Sequence, residues 1–293
     1  MMGSRQEAQS ALFYDFSIEG HVPTDHVLRA IDGVVDLSSV RTHLTEFYSS
    51  TGRPSIDPEL MMRMLLIGYV MGIRSERRLC EEVHLNLAYR WFCKLDLSDA
   101  IPDHSTFSKN RHGRFRDSDV LRHVFEAVVA QCIEAGLASG QRYAADASII
   151  AADANRQKST PKADWNSEAI DPDDAARAVR EYLDTLDDAA FGAASPVVPK
   201  FISHSDPASQ WTGARGGPAY FAYSTNYLID TDNAVILEVE PSRSIRQAEV
   251  GVVRTMIDRV RKTHDLKPER LIADTAYGSG PMLDWLVEKR GIA

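Results

Sequence analysis

The sequence predicts an α/β protein in two parts: an all-helical N-terminal domain over residues 12–137, then a mixed-sheet domain over 138–293 that carries an acidic insertion at about 155–217. Three observations predict it. Up to Gly136 the apolar residues recur at helical spacing and no alternating run occurs. Beyond Gly136, β-prone runs alternate with amphipathic helical stretches, the pattern that builds a sheet covered by helices. After the first of those runs lies a segment poor in apolar pattern and rich in Ala, Pro, Ser, Gly and acids.

Residues 12–19 form a short aromatic-rich lead-in, and 21–31 a turn followed by a short helix. Over 37–48, Leu37, Val40, Leu44 and Phe47 have helical spacing, and Gly52, Arg53 and Pro54 then break the chain. Asp57 before Pro58 is a helix start: an oxygen for the N-cap, then a proline whose missing N–H costs nothing in the first turn. That helix carries Leu60, Met64, Leu65 and Met71 and ends near Gly72. Ser75 caps the next helix, with Leu79 and Val83 inward, and Asn86 caps a third bearing Tyr89, Trp91 and Phe92. Asp103, His104, Ser105 and Thr106, after Pro102, read as another cap. Ser118 and Asp119 open a long helix with the stripe Val120, Leu121, Val124, Phe125, Val128, Val129 and Cys132, closed by Gly136.

Residues 142–150 read as a strand, and within the insertion 177–186 read as helical. Two β-prone runs, 220–229 and 234–240, flank Asp230, Thr231, Asp232 and Asn233, a hairpin signal. An amphipathic helix over 247–264 turns Val250, Val253, Ile257 and Val260 inward. Pro268 precedes a short strand at 270–273. Gly280 and Pro281 open a last helix with Leu283, Leu286 and Val287 inward, and Gly291 ends it.

A chain of 293 residues is long enough for a substantial core, and 44% hydrophobic with 26% charged residues is ordinary for a soluble globular protein. The net charge of −9 does not by itself advertise a nucleic-acid partner. Its distribution matters more. Residues 164–188 hold nine acids against Arg177 and Arg180, whereas 104–122 hold Lys109, Arg111, Arg114, Arg116 and Arg122 against only Asp117 and Asp119. Cys80, Cys93 and Cys132 include no CxxC pair, which argues for reduced thiols and against a disulfide framework or zinc site. The polar start is no signal peptide, and the most apolar stretch, 65–73, is too short to span a bilayer, so the expected location is cytoplasmic with no membrane partner.

Two acids sit where a sheet would present a carboxylate. Asp146 lies in the first strand and Asp274 at the end of a later one, each flanked by small or apolar residues. A bound cation is one reason to keep a carboxylate in such a setting, and strand ends are where open α/β sheets place ligands. The alternative is an Asp that caps the following turn. Asp153 competes with Asp146 for the role. The segment from Lys109 to Arg116, with Phe107, Phe115 and two histidines, reads either as a phosphate-neutralising surface or as a solvated helix face. Arg74, Arg77 and Arg78 interleave with Glu76, Glu81 and Glu82, a pattern also produced by a salt-bridged surface. His104 reads as a cap or turn residue rather than a ligand.

The run from Gly52 through Arg53, Pro54, Ser55, Ile56, Asp57, Pro58, Glu59 and Leu60, with Leu66-Ile67-Gly68-Tyr69, Asn86-Leu87-Ala88-Tyr89-Arg90-Trp91-Phe92 and Pro102-Asp103-His104-Ser105-Thr106-Phe107-Ser108, resembles the helical N-terminal domain of bacterial insertion-sequence DDE transposases. The stretch from Asp146 to Asn155 resembles the segment bearing that family's first catalytic Asp, and Ala273-Asp274-Thr275-Ala276-Tyr277-Gly278-Ser279 the segment bearing the second. Phe221-Ala222-Tyr223-Ser224-Thr225-Asn226-Tyr227 resembles the family's central hairpin. The resemblance runs from about residue 12 to the end.

It implies an RNase H-like catalytic domain acting on double-stranded DNA, both the element's terminal repeats and the target, with Asp146 and Asp274 as catalytic metal ligands for Mg²⁺ or Mn²⁺ and Lys109, Arg111, Arg114 and Arg116 as DNA contacts. Two aspartates and a glutamate hold two divalent ions in the family, for in-line attack on a phosphodiester. A homodimer on paired ends and association with the nucleoid follow from the same resemblance. One departure stands out. The family places its glutamate on a helix well downstream of the second Asp, near a Tyr and an Arg, whereas here only Asp284 and Glu288 follow, on the helix immediately after Asp274. Residues 290–293 look like a lead into a further strand. The expectation is therefore an incomplete RNase H-like domain in a C-terminally truncated transposase that lacks its third carboxylate. The alternative is a non-catalytic DNA-binding protein that recognises element ends or inhibits an intact transposase.

Overall fold

The computed structural model describes residues 16–49, 51–52, 55–154, 156–166, 171, 173, 200–213, 217–244 and 246–293. The lead-in residues 12–15, Arg53, Pro54, Asn155 and the expected helix at 177–186 lie outside them. The chain divides into two compact units between Val128 and Val129, inside a helix that the sequence reading assigns whole to the first domain.

The first unit is helical: α1 (Ile18–His21), α2 (Val27–Val34), α3 (Ser38–His43), α4 (Pro58–Val70), α5 (Glu76–Leu85), α6 (Leu87–Phe92), α7 (His104–Asn110) and the start of α8 (Val120–Glu134). The expected caps form. Asp57 Oδ1 accepts the Glu59 N–H at 3.1 Å with Pro58 in the first turn, and Ser75 Oγ accepts the Arg78 N–H at 3.3 Å. Asn86 Oδ1 accepts from Ala88 and Tyr89 at 2.9 and 3.3 Å, and Asp103 Oδ1 from Ser105 at 2.9 Å. Gly72 and Gly136 take the left-handed conformation just past their helices, at φ +68° and +72°.

The expected helix over 37–48 is instead α3 plus a separate 3₁₀ turn, Thr45–Phe47. Ser and Thr there bond locally rather than favouring a continuous helix, and the Thr45 hydroxyl donates to the Arg41 carbonyl at 3.0 Å. Leu28, Val40, Leu44, Met61, Met64, Ile67, Val83, Phe92, Phe107 and Phe115 form one buried cluster, each side chain contributing roughly 1.5–3 kcal/mol by leaving water. Leu121, expected inward on α8, is exposed.

Two of the expected free thiols lie in this core. Burial pushes Cys80 up to about 11, helped by Asp103, Glu76 and Glu81, and pushes Cys93 up to about 12. Both therefore remain protonated at pH 8. An aromatic disulfide reagent should titrate Cys132 alone in native protein and all three cysteines after unfolding; two fast-reacting thiols in the native state would contradict this. Free thiols ionise near about 8.5, so above that pH the unfolded chain binds fewer protons than the folded one. This contribution to stability is complete below that pH and falls as pH rises towards 11 and 12.

The second unit carries β1 (Arg142–Ala151), β2 (Ser159–Pro161), β3 (Phe201–Ser203), β4 (Gln210–Gly213), β5 (Ala219–Asp230), β6 (Val235–Arg243) and β7 (Arg270–Ile272), with α9 (Arg246–His264) and α10 (Gly280–Asp284). β1 is central, pairing antiparallel with β5 and parallel with β7. The other edge of β5 is shared, β4 pairing with residues 219–222 and β6 with 223–230. Ala222 thus faces Ala151 of β1 on one side and Gln210 of β4 on the other. α9 joins β6 to β7 and packs on β5 and β6 through Val250, Val253, Ile257 and Val260, the four residues its periodicity selects, and through Met256.

The hairpin forms where expected, and Ala234 takes φ +56° in its turn. At its root the fully buried Asp230 carboxylate accepts the N–H groups of Ser139, Gly140 and Asp232, each at 3.0 Å. Gly140 has φ +75°, and a Cβ there would come 3.1 Å from Leu266 Cδ2, so two separate constraints require glycine. Beyond α10 the wide turn Trp285–Arg290 closes at Gly291, φ +63°. Ala293 then donates to the Glu269 carbonyl and accepts from the Leu271 N–H, both at 2.9 Å, which is parallel pairing alongside β7.

Strands β2, β3 and β4 fall in the segment expected to be irregular or helical. Isolated aromatics hold them: Trp211 lies edge-on to Phe201 at 5.6 Å and to Phe221 at 4.9 Å, with the Arg156 guanidinium 5.3 Å over its ring.

Candidate active site

Strand register sets the positions of the two carboxylates. The parallel pairing sets Arg142 opposite Arg270, Tyr143 opposite Leu271 and Ala144 opposite Ile272. Asp146 and Asp274 each lie two residues beyond the last of these pairs, so the pairing sets both just past the C-terminal end of β7, with Asp146 midway along β1. On its other side Asp146 faces Tyr227 of β5. Both are exposed. Asp146 Oδ1 accepts its neighbour Ala147's N–H, and Asp274 Oδ1 accepts that of Ala276, each at 2.8 Å. Asp274 is thereby the N-cap of the 3₁₀ turn Thr275–Tyr277, so the capping reading of this residue holds alongside any other role. Neither makes an ion pair with a lysine or arginine among the described residues.

Two further residues join this end of the sheet that sequence reasoning did not single out. α9 packs on the 275–277 turn, and Glu249 in its first turn accepts the Ser224 hydroxyl at 2.6 Å. Tyr277 is buried, and burial together with the charges of Glu249, Asp274 and Asp146 holds its phenol well above the ordinary range. Its place next to the Asp274 motif was the available signal; Glu249 carried none, since an acid in the first turn of an amphipathic helix is ordinary. Asp153 lies past the end of β1, exposed. Asp284 pairs with Lys289 at 3.4 Å, and Glu288 faces water. No three His, Cys, Asp or Glu side chains among the described residues stand close enough to hold a metal ion.

The donor set nonetheless suits a hard divalent cation. Two exposed carboxylates without an ion-pair partner among the described residues flank the C-terminal end of β7, and Mg²⁺ is commonly held by one or two carboxylates, with waters and substrate phosphates completing the shell.

The basic segment is α7 followed by a wide turn, Arg111–Phe115, kinked at Gly113. Arg111 pairs with Glu76 at 3.0 Å and donates to the Tyr69 hydroxyl at 3.2 Å. Arg114 donates to the Phe47 carbonyl, Ser55 and Asn110 at 2.9, 3.0 and 2.6 Å and stacks over Tyr48 at 4.5 Å. Arg116 pairs with the adjacent Asp117 at 2.9 Å, and Lys109 is exposed and without a partner among the described residues.

Residues 16–113 match a family model described as "Transposase domain (DUF772)". The match covers a third of the chain, takes in α1 to α7, and supports a transposase family. No curated protein and no solved structure matches the chain. No helix among the described residues is long and apolar enough to cross a membrane.

Proposed function

We propose that this protein is an insertion-sequence transposase of the DDE type, in which the helical unit binds double-stranded DNA and the sheet unit is RNase H-like and carries the metal site. One observation carries the reading: parallel pairing of β1 with β7 sets Asp146 and Asp274 just past the C-terminal end of β7, both exposed and neither ion-paired among the described residues. The family match over the helical unit and the mixed sheet of the second unit support it. Asp146 and Asp274 would hold Mg²⁺ or Mn²⁺ through their outward oxygens, while the backbone N–H groups of Ala147 and Ala276 fix each carboxylate in place. When bound, the ions supply an activated water or 3′-hydroxyl and neutralise the leaving oxygen. The family resemblance adds a second copy of the chain on paired DNA ends.

Calorimetric titration with Mn²⁺ tests the site directly. Asp146→Asn and Asp274→Asn should each weaken binding by on the order of tenfold or more while leaving the circular-dichroism melt unchanged. Equal affinity in the wild type and both variants would remove Asp146 and Asp274 from the site.

A second reading, DNA binding without strand cleavage, draws on the absence, among the described residues, of a third carboxylate close enough to hold a metal ion together with this pair. Mn²⁺-dependent nicking of duplex DNA that is lost in Asp146→Ala would decide against it. DNA binding that survives Asp146→Ala, with no nicking by the wild type, would favour it.

A further inference from the structure

The cations of the helical unit divide by what each already holds. Arg111 and Arg114 are half-buried and occupied by Glu76, Tyr69, Phe47, Ser55 and Asn110. Arg78 is bridged to Glu82 at 3.3 Å, as the interleaved charges predict. Three exposed cations among the described residues are not so held. Lys109 on α7 and Arg74 in the turn between α4 and α5 have no partner among the described residues. Arg77 in the first turn of α5 has one polar contact, its Nη2 lying 3.1 Å from His104 Nε2. An imidazole leaves a guanidinium's charge uncompensated.

Arg77 and Lys109 line an open cleft of about 630 Å³ with His104, His112, Ser108 and Glu76. The one acid in its wall, Glu76, is already engaged by Arg111 at 3.0 Å and His112 at 3.4 Å. Asp103, beside His104 at 3.6 Å, spends an oxygen capping α7. Glu81 lies further along α5 and makes no ion pair with Arg77. Arg74 borders a second cavity that shares Glu76 with the first. The surface therefore offers unneutralised positive charge in a concave setting with hydroxyl and imidazole donors around it, which suits a phosphodiester oxygen.

We propose that this cleft seats the backbone of duplex DNA, with Arg77, Lys109 and Arg74 each on a phosphate of its own, while Arg111 and Arg114 serve the fold. The proposal rests on the DNA-binding reading above and names the residues through which binding occurs.

Fluorescence anisotropy of the full chain on a short labelled duplex, across a salt series, tests it. Each phosphate contact contributes about 0.9 to the slope of log K against log salt. Arg77→Gln and Lys109→Gln should each flatten the slope by about that amount, and Arg74→Gln likewise. Arg114→Gln should keep the wild-type slope and lower the melting temperature, a readout that separates a fold-supporting arginine from a contacting one. Wild-type binding with an unchanged slope in the Arg77→Gln/Lys109→Gln double variant, whose exposed sites leave the fold intact, would overturn the cleft and spare the DNA-binding reading. No salt-dependent binding by the wild type would overturn both.

Discussion

Replacing Arg90 by alanine should unfold the helical unit under conditions where the wild type is folded. Arg90 on α6 is 2% exposed and has no carboxylate partner among the described residues. Its guanidinium is instead satisfied by main-chain oxygens: Nε donates to Asp96 at 3.0 Å, Nη2 to Asp99 at 2.9 Å and also to Asp96, and Nη1 to His84 at 3.4 Å. One planar fork therefore gathers the carbonyls of the turn after α6 and the end of α5. Alanine leaves them without a charged donor and opens a void beside Phe92 and Cys93, both buried. Lost hydrogen bonds to a charged group and a core cavity together cost about 3–5 kcal/mol, against a total stability of roughly 5–15 kcal/mol for a domain. Arg90→Lys should recover only part of this, because one ammonium cannot span the carbonyls that the fork reaches. Denaturant titration followed at the helical circular-dichroism band measures both. A midpoint for Arg90→Ala within about 1 kcal/mol of wild type would show that the clamp contributes little.

In the sheet unit the corresponding position is Asp230. Its carboxylate is fully buried, Oδ2 accepting from Ser139 and Gly140 and Oδ1 from Asp232. It ties the approach to β1 to the root of the β5–β6 hairpin. Asp230→Ala strands three N–H donors away from water, at a cost of about 3–5 kcal/mol. Asp230→Asn retains the shape and one oxygen but turns an NH₂ towards a donor, so it should destabilise nearly as much despite its size. Native-state hydrogen exchange reads the effect locally: the Ser139 and Gly140 amides should lose protection in either variant. If Asp230→Asn melts with the wild type, the carboxylate's charge is not what organises this corner.

Local chemistry was readable in the sequence. An N-cap needs one side-chain oxygen and the next two or three residues, so Asp57, Ser75, Asn86 and Asp103 could be assigned from neighbours alone. The hairpin around Asp230 and the inward stripe of α9 follow from equally short patterns. Asp146 was visible as an acid within a strand and Asp274 as one at a strand end, but their alignment was not, because it depends on pairing between strands separated by the whole insertion. Arg63, Arg90 and Asp230 were invisible as buried groups: a charged residue reads as surface unless its partners are known. Arg63 meets Asp32 at 2.6 Å and Glu59 at 3.1 Å, and only the second of these is close in sequence. The positive charge of the basic segment was legible, but its division between fold and surface was not, since Glu76, Phe47 and Ser55 lie far from the arginines they hold. Strands β2 to β4 escaped because scattered aromatics, rather than a periodic pattern, secure them.

The shared rung at Ala222 has a consequence for how such proteins diverge. The chain leaves β1 at Ala151 and rejoins the sheet at Gln210, and both residues sit opposite Ala222. Departure and return are thus separated by the width of a single strand, about 10 Å for two interstrand spacings. Closing a loop across so short a gap costs only about 0.6 kcal/mol more for each doubling of its length. Such a junction behaves as a socket. Cassettes of different length and charge can be exchanged there over generations, or a reporter domain grafted in by design, while the register that aligns Asp146 with Asp274 is inherited unchanged.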